Sequence, residues 1–262
     1  MEGLFIAASG GTKQLKKLDI LSNNLANVTT QAFKRDMLTF EEKIPPFALV
    51  AGNRAGPGFT NAYFGTDPSV AYVQATGFTT DFTQGSLINT GNPLDVAIEG
   101  DGFFVIETQA GDRYTRNGTF HLDGLGQLVD REGNVVKSRN EDPILIPPNT
   151  DRVTIDQDGT VFGGRDLEIL PVAQLKVVKF KNNGGLVKEG EGMYINTNAT
   201  LQETLAGDIK VVQGFIEKSN VNAVQEMTQM IETVRTLEAY QKIIQSIDEA
   251  DDQSINNLAR VA

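Results

Sequence analysis

The sequence contains no cysteine, and His121 is its only histidine. Without cysteine there is no disulfide framework, no thiolate metal site and no cysteine nucleophile, which excludes a small extracellular domain held together by disulfides. With one histidine there is no catalytic histidine pair and no metal site built from several histidines. Because His121 follows Phe120 in a strand-like pattern, we interpret it as a structural or surface residue.

The chain also lacks an excess of basic residues, with 23 Lys and Arg against 34 Asp and Glu in 262 residues, a formal net charge of −11. Binding to phosphate groups needs a concentrated basic face, so nucleic acid and anionic membrane are not expected partners. One short basic cluster, Lys13, Lys16 and Lys17, lies beside Asp19 and is interpreted as the solvated side of a helix. The 40% hydrophobic and 22% charged composition indicates a soluble globular protein with a sizeable core.

Common signatures of catalysis and secretion are missing as well. The sequence has no G-x-x-x-x-G-K-[ST], G-x-G-x-x-G, H-E-x-x-H or G-x-S-x-G motif, which removes the commonest nucleotide-binding, metalloprotease and serine-hydrolase interpretations. The apolar run from Leu4 to Ala8 is too short for a signal-peptide core or a membrane span. We therefore expect no cleavable leader and no direct insertion into a membrane.

One turn resembles a metal site only in part. Residues 156–159, Asp-Gln-Asp-Gly, resemble the opening of a calcium loop, but the third Asp or Asn and the closing Glu are missing, so we interpret them as a β-turn. The sequence thus predicts no catalytic residue, no cofactor and no metal. Two carboxylates could still face each other across a cleft, so a peptidoglycan-cleaving enzyme remains an alternative.

Both ends of the chain carry apolar residues at seven-residue spacing. These residues are Leu4, Gly11, Leu18 and Leu25 near the start, and Met230, Leu237, Ile244 and Leu258 near the end, where Asp251 interrupts the spacing between the last two. The pattern predicts a first helix from about Leu4 to Val28 and a last helix of roughly 38 residues, about 57 Å long at 1.5 Å per residue. A β domain would not bury these apolar stripes of the helices. We therefore expect the two helices to pack against each other and against other copies of the chain.

Local signals refine both helices. Gly10 and Gly11 each cost about 1 kcal/mol of helix propensity relative to alanine. Either another backbone approaches closely there, or the pair breaks the helix and leaves a shorter one from Thr12. At the last helix, Asn222 is a candidate N-cap, and Gln225 can return the hydrogen bond in a capping box.

Between the helices the chain has the pattern of β structure. Residues 41–94 are rich in Pro, Gly, Thr and Asn and indicate an extended, loop-rich connection, whereas residues 95–215 contain short apolar runs divided by hairpin turns. A period of two places Val96, Ile98, Phe103 and Val105 inward. We predict an α+β protein in which residues 1–40 and 216–262 form a coiled-coil-like helical domain and residues 95–215 form a central antiparallel β domain.

At this point the sequence resembles a known family. Residues 21–28 (LSNNLANV) and 32–35 (AFKR) resemble the amino-terminal signature of the bacterial flagellar axial proteins, which are the rod, hook and hook-associated components. Residues 214–222 (GFIEKSNVN), followed by Glu226, Met227, Met230 and Ile231, resemble the carboxy-terminal signature of that family. Residues 95–104, 114–120 and 126–129 resemble segments of its β domain. The resemblance spans nearly the whole chain, and the length fits a rod protein better than a hook protein.

The resemblance implies a structural role in the flagellar basal body. It implies a helical inner domain made from both termini, a β domain outside it, export through the flagellar type III apparatus, and a place in the periplasm-spanning rod that transmits torque. Expected partners are other copies of the chain and neighbouring rod proteins, with ring or bushing proteins as further candidates for the stretch from Arg54 to Phe64. Residues 234–242 favour the proximal over the distal rod protein. A β-domain binding protein with a helical dimer stalk remains a further alternative.

The expected assembly interface combines the helical stripes with the signature asparagines. Asn23 and Asn27 lie one helical turn apart and can present their amides to one partner surface. A plainer interpretation is that they only end the helix. The complete set of predicted interface residues is Leu4, Ala8, Gly11, Leu15, Leu18, Asn23, Leu25, Asn27, Asn220, Asn222, Met227, Met230, Val234, Leu237, Ile244, Ile247 and Leu258.

Overall fold

A computed structural model describes residues 2–43, 72–148, 150–165, 168–190, 192–198, 200–207 and 209–261. Two helices lie at the ends, α1 (Glu2–Ala26) and α2 (Ala223–Val261). The first strands are β1 (Asp36–Lys43), β2 (Tyr72–Thr80), β3 (Leu87–Asn89), β4 (Val96–Glu99), β5 (Phe103–Thr108), β6 (Gly111–Thr115), β7 (His121–Leu122), β8 (Leu128–Val129) and β9 (Val135–Val136). The others are β10 (Arg152–Ile155), β11 (Thr160–Arg165), β12 (Glu168–Gln174), β13 (Val177–Phe180), β14 (Leu186–Gly190), β15 (Met193–Asn196), β16 (Glu203–Leu205), β17 (Lys210–Gln213) and β18 (Phe215–Glu217).

These elements confirm the α+β class, with a helix at each end and antiparallel sheet between them. The first helix begins and ends about two residues earlier than predicted, and the last has 39 residues. Strands β2 and β3 lie within the segment that was predicted to be an extended connection. None of the helices in the described part of the chain is long and apolar enough to cross a bilayer.

The chain divides into two compact units. The first comprises Met1–Ile20, Asp36–Thr79 and Glu232–Ala262, and the second comprises Leu21–Arg35 and Thr80–Ile231. The second unit therefore holds the last turns of α1, the first turns of α2 and the β structure between them. In the first unit, α1 and α2 meet where Gly10 faces Tyr240 and Gly11 faces Leu237.

The core of the second unit is organised around β5, which pairs antiparallel with β6, β9 and β13. All four residues from Phe103 to Ile106 are at most 1% exposed. Phe104 and Ile106 join a cluster that includes Val96 and Ile98, while Phe103 and Val105 join a second cluster. The predicted inward positions are thus all buried, but they face two different cores. Each such side chain contributes about 1.5–3 kcal/mol by its burial.

Candidate assembly interface

The segment after α1 lies alongside the segment before α2. Ala32 has a left-handed backbone (φ +54°) and donates its N–H to the Glu217 carbonyl oxygen over 2.8 Å. The Arg35 N–H donates to Asn220 Oδ1 at 2.8 Å, and the Asn220 N–H donates to the Phe33 carbonyl at 3.2 Å. The two family-like signatures, far apart in sequence, are therefore joined inside one subunit.

A buried ion cluster lies at this junction. Lys34 Nζ is 2.5 Å from Glu217 Oε1 and donates to the Thr83 carbonyl at 2.8 Å, and neither charged side chain is exposed. The Gly85 N–H donates to the same carboxylate oxygen at 2.7 Å. Arg116 Nη1 is 3.5 Å from Glu217 Oε2, so one carboxylate faces two cations. These contacts connect both terminal signatures to the β domain.

The electrostatics of the cluster follow from its burial. Burial lowers the pKa of Lys34 because the ammonium loses water, and the Glu217 carboxylate opposes that shift. Burial likewise lowers the pKa of Arg116, again opposed by Glu217. The Arg116 guanidinium also lies 5.2 Å from the centroid of the Phe103 ring, a cation–π distance. Loss of this carboxylate would remove the ion-pair partner of buried Lys34 and leave buried Arg116 paired with the exposed Asp101 carboxylate at 4.0 Å, which is strongly destabilising.

Asn220 is the second connection between the signatures. Its amide nitrogen donates to the carbonyls of Asp81 at 2.8 Å and Thr83 at 3.1 Å, while its Oδ1 accepts from Arg35. Arg35 Nε in turn contacts Asp81 Oδ2 at 2.8 Å. The predicted interface residue Asn220 thus has a complete set of partners within its own subunit.

Further asparagine side chains lie at the ends of the two helices. Asn222 Oδ1 accepts from the N–H groups of Val224 and Gln225 at 3.1 and 3.3 Å, which confirms the predicted N-cap. Asn27 Nδ2 donates to the Asn23 carbonyl at 2.9 Å, so this side chain ends α1. The adjacent Asn24, which was not among the predicted interface residues, is 1% exposed, and its Nδ2 lies 3.4 Å from Glu226 Oε2.

The close approach at Gly10 has a specific partner. Both glycines lie inside α1, so the alternative in which they break the helix is wrong. A Cβ added at Gly10 would lie 2.5 Å from Tyr240 Cζ, whereas one at Gly11 would meet only Leu237 Cδ1 at 3.9 Å. The neighbour at Gly10 is therefore an aromatic side chain, not the backbone that we expected.

The other predicted interface residues differ in exposure. Gly11 is buried, and Leu18, Leu25, Met230, Leu237, Ile244 and Ile247 are partly buried. The exposed ones are Ala8, Leu15, Asn23, Asn222, Met227 and Val234. Leu4 and Leu258 lie in the helices but outside the residues whose side chains are described, and the Arg54 to Phe64 stretch lies outside the described chain.

The candidate chemical groups, His121 and Asp158, lie in different elements. His121 is exposed at the start of β7, pairing in register with Val129. Asp158 lies in the turn between β10 and β11, and its carboxylate accepts from the Thr160 N–H and hydroxyl at 2.9 and 2.8 Å, which lowers its pKa. Within the described residues, no group of three or more His, Cys, Asp or Glu side chains is arranged to hold a metal ion.

We expect Asp158→Asn to have little effect, because the carboxylate is exposed and acts only within its own turn. Surface changes of this kind alter the free energy of unfolding by about 0.5 kcal/mol or less. Neither millimolar calcium nor a chelator should shift the melting temperature of the wild-type protein, and His121→Ala serves as a second neutral variant. A rise of several degrees with calcium that Asp158→Asn abolishes would demonstrate a metal site, since a ligand stabilises the state that binds it.

The paired terminal helices and the junction of both ends on a β domain define the class of protein: an α+β subunit with helical termini. Residues 4–34 match the family described as flagella basal body rod protein. Residues 97–163 match the flagellar hook protein FlgE/F/G D1 domain, and residues 212–258 match the flagellar basal body rod FlgEFG protein C-terminal family.

Full-length relatives agree with these matches. The chain is 34% identical over 266 residues to flagellar basal-body rod protein FlgG of Bacillus subtilis, covering 98% of each chain. It is 30% identical over 259 residues to FlgF of Caulobacter vibrioides, also covering 98% of each. It is 36% identical over 260 residues to FlgG of Buchnera aphidicola from Acyrthosiphon pisum, covering 94% of this chain and 95% of the relative. The chain belongs to the flagellar basal-body rod protein family.

Membership of this family establishes the general role of the protein. The protein is a structural component of the rod in the flagellar basal body and not an enzyme, so the peptidoglycan-cleaving and binding-stalk alternatives have no support. Sequence reasoning missed Lys34, Arg116, Glu217 and Asn24 as connecting residues. One signal was available for Glu226, because it occupies a position in the helical seam that is otherwise mostly apolar.

Proposed function

We propose that this subunit assembles helically, through both terminal helices, into the shaft that transmits torque to the hook. One observation carries the proposal: the helices meet along a seam close enough that Gly10 leaves no room for a Cβ beside Tyr240. On α2 the covered positions 226, 230, 233, 237, 240, 244 and 247 alternate in steps of four and three, the spacing of a coiled-coil seam. Such a seam gives the subunit a rigid helical inner domain that a neighbour can pack against.

The finer assignments follow from the same proposal. Residues 1–40 and 216–262 form the inner domain of the tube, and the β domain of residues 95–215 lies outside it. The subunit is exported through the flagellar type III apparatus and occupies the periplasm-spanning rod, near ring or bushing proteins. We assign it to the proximal rod on the pattern of residues 234–242; relatives named FlgF and FlgG match at similar identity.

Single charges in the seam test the proposal. We expect Leu18→Asp and Ile244→Asp to leave the β domain folded but to block incorporation into the rod, because an unpaired charge in a packed helical interface costs several kcal/mol. Thr236→Asp adds the same charge at an exposed position of α2 and should incorporate normally. Normal rod assembly by the two seam variants would refute the proposal, as would loss of the melting transition of the β domain in either.

Substitutions of asparagines at two sites test folding and assembly separately. Asn220→Ala removes several partly buried hydrogen bonds and should lower the free energy of unfolding by about 2–3 kcal/mol in a urea titration. The double variant Asn23→Ala/Asn27→Ala should incorporate poorly, because the exposed Asn23 amide faces a neighbouring subunit in the proposed rod. Its stability should change little, since the loss of the Asn27 bonds to the Asn23 carbonyl and the Thr30 hydroxyl offsets the gain in helix propensity. Unchanged motility and rod occupancy with normal export would show that Asn23 and Asn27 act only at the helix end.

A further inference from the structure

A small cavity opens at the surface of the β domain, beside the turn between β10 and β11. Three polar side chains, Arg139, Asp158 and Gln174, lie in its lining, and the rest of the described lining is aliphatic or glycine. We call it the β-domain cavity. Its volume is about 190 Å³. Drug-sized ligands occupy pockets of about 300–1,000 Å³, so this cavity fits a smaller molecule.

The walls of the β-domain cavity are aliphatic. Leu175 and Val177 are buried and belong to the main apolar cluster of the domain. Ala206 and Ile209 pack against the same cluster, whereas Leu205 lines the cavity and is still 48% exposed. None of the described lining residues is aromatic, so the cavity has no ring on which a base or another aromatic ligand can stack. The walls therefore fit an aliphatic side chain.

The two charged side chains at the mouth are connected through Gln174. Its Oε1 accepts from Arg139 Nη1 at 3.1 Å, and its Nε2 donates to the Asp158 carbonyl at 2.8 Å. Arg139 uses one of its five side-chain N–H groups in this contact, which leaves the others for a ligand. The Asp158 carboxylate accepts from the Thr160 N–H and hydroxyl, and its remaining lone pairs can accept further bonds.

A strained loop holds Arg139 at the mouth. Glu141 in this loop has a left-handed backbone (φ +70°), and its N–H donates to the Ser138 carbonyl at 2.9 Å. Three other turns of the domain make the same bond with glycine at that position, namely Gly126, Gly133 and Gly159. Such strain persists only where the surroundings hold it, and it is concentrated at binding and other functional sites. Here buried Lys176 donates to the Glu141 carboxylate and fixes the loop.

The other charged side chains of the same segments do not line the cavity. Lys176 pairs with Glu141 and Glu203. Exposed residues that are not part of the lining are Asp142, Asp156 and Lys210. Among the described residues, the charges at the mouth are therefore one guanidinium, from Arg139, and one carboxylate, from Asp158.

We propose that the β-domain cavity binds an aliphatic amino acid as its zwitterion. The ligand carboxylate accepts from Arg139, the ligand ammonium donates to the Asp158 carboxylate, and the aliphatic side chain lies against the walls. A carboxylate alone would be repelled by Asp158 and an amine alone by Arg139, so the ligand needs both charges. None of the lining residues belongs to α1, α2 or the junction of the two signatures, so this site is independent of rod assembly.

Calorimetric titration of the full-length subunit with L-leucine tests the site, because leucine carries both charges and a branched aliphatic side chain. Leucine should bind at one site with a Kd below about 1 mM. It should also raise the melting temperature, since a ligand stabilises the state that binds it. Two probes that each lack one charge, 4-methylpentanoate and 3-methylbutan-1-amine, should bind at least about tenfold more weakly, because a hydrogen bond between charged groups contributes about that factor or more.

Substitutions at the mouth should have the same effect as removing a charge from the ligand. Arg139→Gln and Asp158→Asn should each weaken leucine binding at least about tenfold. The matched controls are Arg165→Gln and Asp151→Asn, which change an exposed ion pair outside the lining and should bind leucine as the wild type does. Asp158→Asn should barely change the free energy of unfolding, so its loss of binding would not reflect misfolding.

Three results would overturn the inference. These are the absence of leucine binding at about ten times the expected Kd, undiminished binding by Arg139→Gln, and equal binding of 4-methylpentanoate and leucine. Each result leaves the proposed rod function untouched, because that function is tested by the Leu18→Asp and Ile244→Asp variants.

Discussion

Replacing Glu217 with glutamine is expected to lower the free energy of unfolding by about 3–5 kcal/mol, the usual cost of breaking a buried ion pair. The amide keeps the shape of the side chain but removes the buried counter-charge of Lys34 and leaves Arg116 paired with the exposed Asp101 carboxylate at 4.0 Å. Urea unfolding of the purified subunit measures the loss. Asp151→Asn is the matched control, because its ion pair with Arg165 is 68% exposed on both sides and should contribute less than about 1 kcal/mol.

The pH dependence of the variant gives a second measurement. Burial already holds the pKa of Lys34 below its ordinary value of 10.5, and loss of the carboxylate lowers it further. Between the folded pKa and 10.5 the unfolded state binds more protons, so stability rises with pH in that window. The deficit of Glu217→Gln relative to Asp151→Asn should therefore shrink as the pH approaches 10.5. Equal stability of the two variants at neutral pH would show that the cluster does not connect the terminal signatures.

The second large effect is expected at Gly10. Gly10→Leu should abolish swimming motility, because even its Cβ would lie 2.5 Å from Tyr240 Cζ, so either the ring or the helix must shift out of the seam. Combining Gly10→Leu with Tyr240→Ala should restore part of the motility, since removal of the ring returns the space. Gly11→Ala should be harmless, as its methyl group makes only an ordinary contact with Leu237 and gains about 1 kcal/mol of helix propensity.

Stability measurements show which compact unit the Gly10 substitution affects. The β domain of Gly10→Leu should melt at the wild-type temperature, because Gly10 belongs to the other compact unit. Full motility of the single variant would show that the subunit does not need the close approach of α1 and α2.

Features set by local sequence could be predicted well. Seven-residue spacing located both helices, the Asn222 side chain marked the start of α2, and the turn at Asp158 followed from its Asp-Gly pair. Each of these features depends on residues only a few positions apart, so the sequence alone is enough to predict it.

Features set by distant contacts could not be predicted. Lys34 and Glu217 are 183 residues apart, and charged residues are normally exposed, so nothing local indicates that they pair in the core. Strand β5 was expected to have one buried face, but both are covered because β5 lies between two clusters. Gly10 signalled a close neighbour, yet only the packing of α2 identifies it as Tyr240.

A side-chain-resolved reconstruction of the isolated basal body tests the central claim most directly. We predict that this chain occupies a tier of the rod, with the helical inner domain that contains Leu18 and Ile244 packed against neighbouring subunits and the β domain on the outside. The reconstruction should also place the Tyr240 ring against Gly10 within each subunit. A rod without this chain, or one in which its helices face solvent while the β domain lines the channel, would contradict helical assembly through the terminal helices.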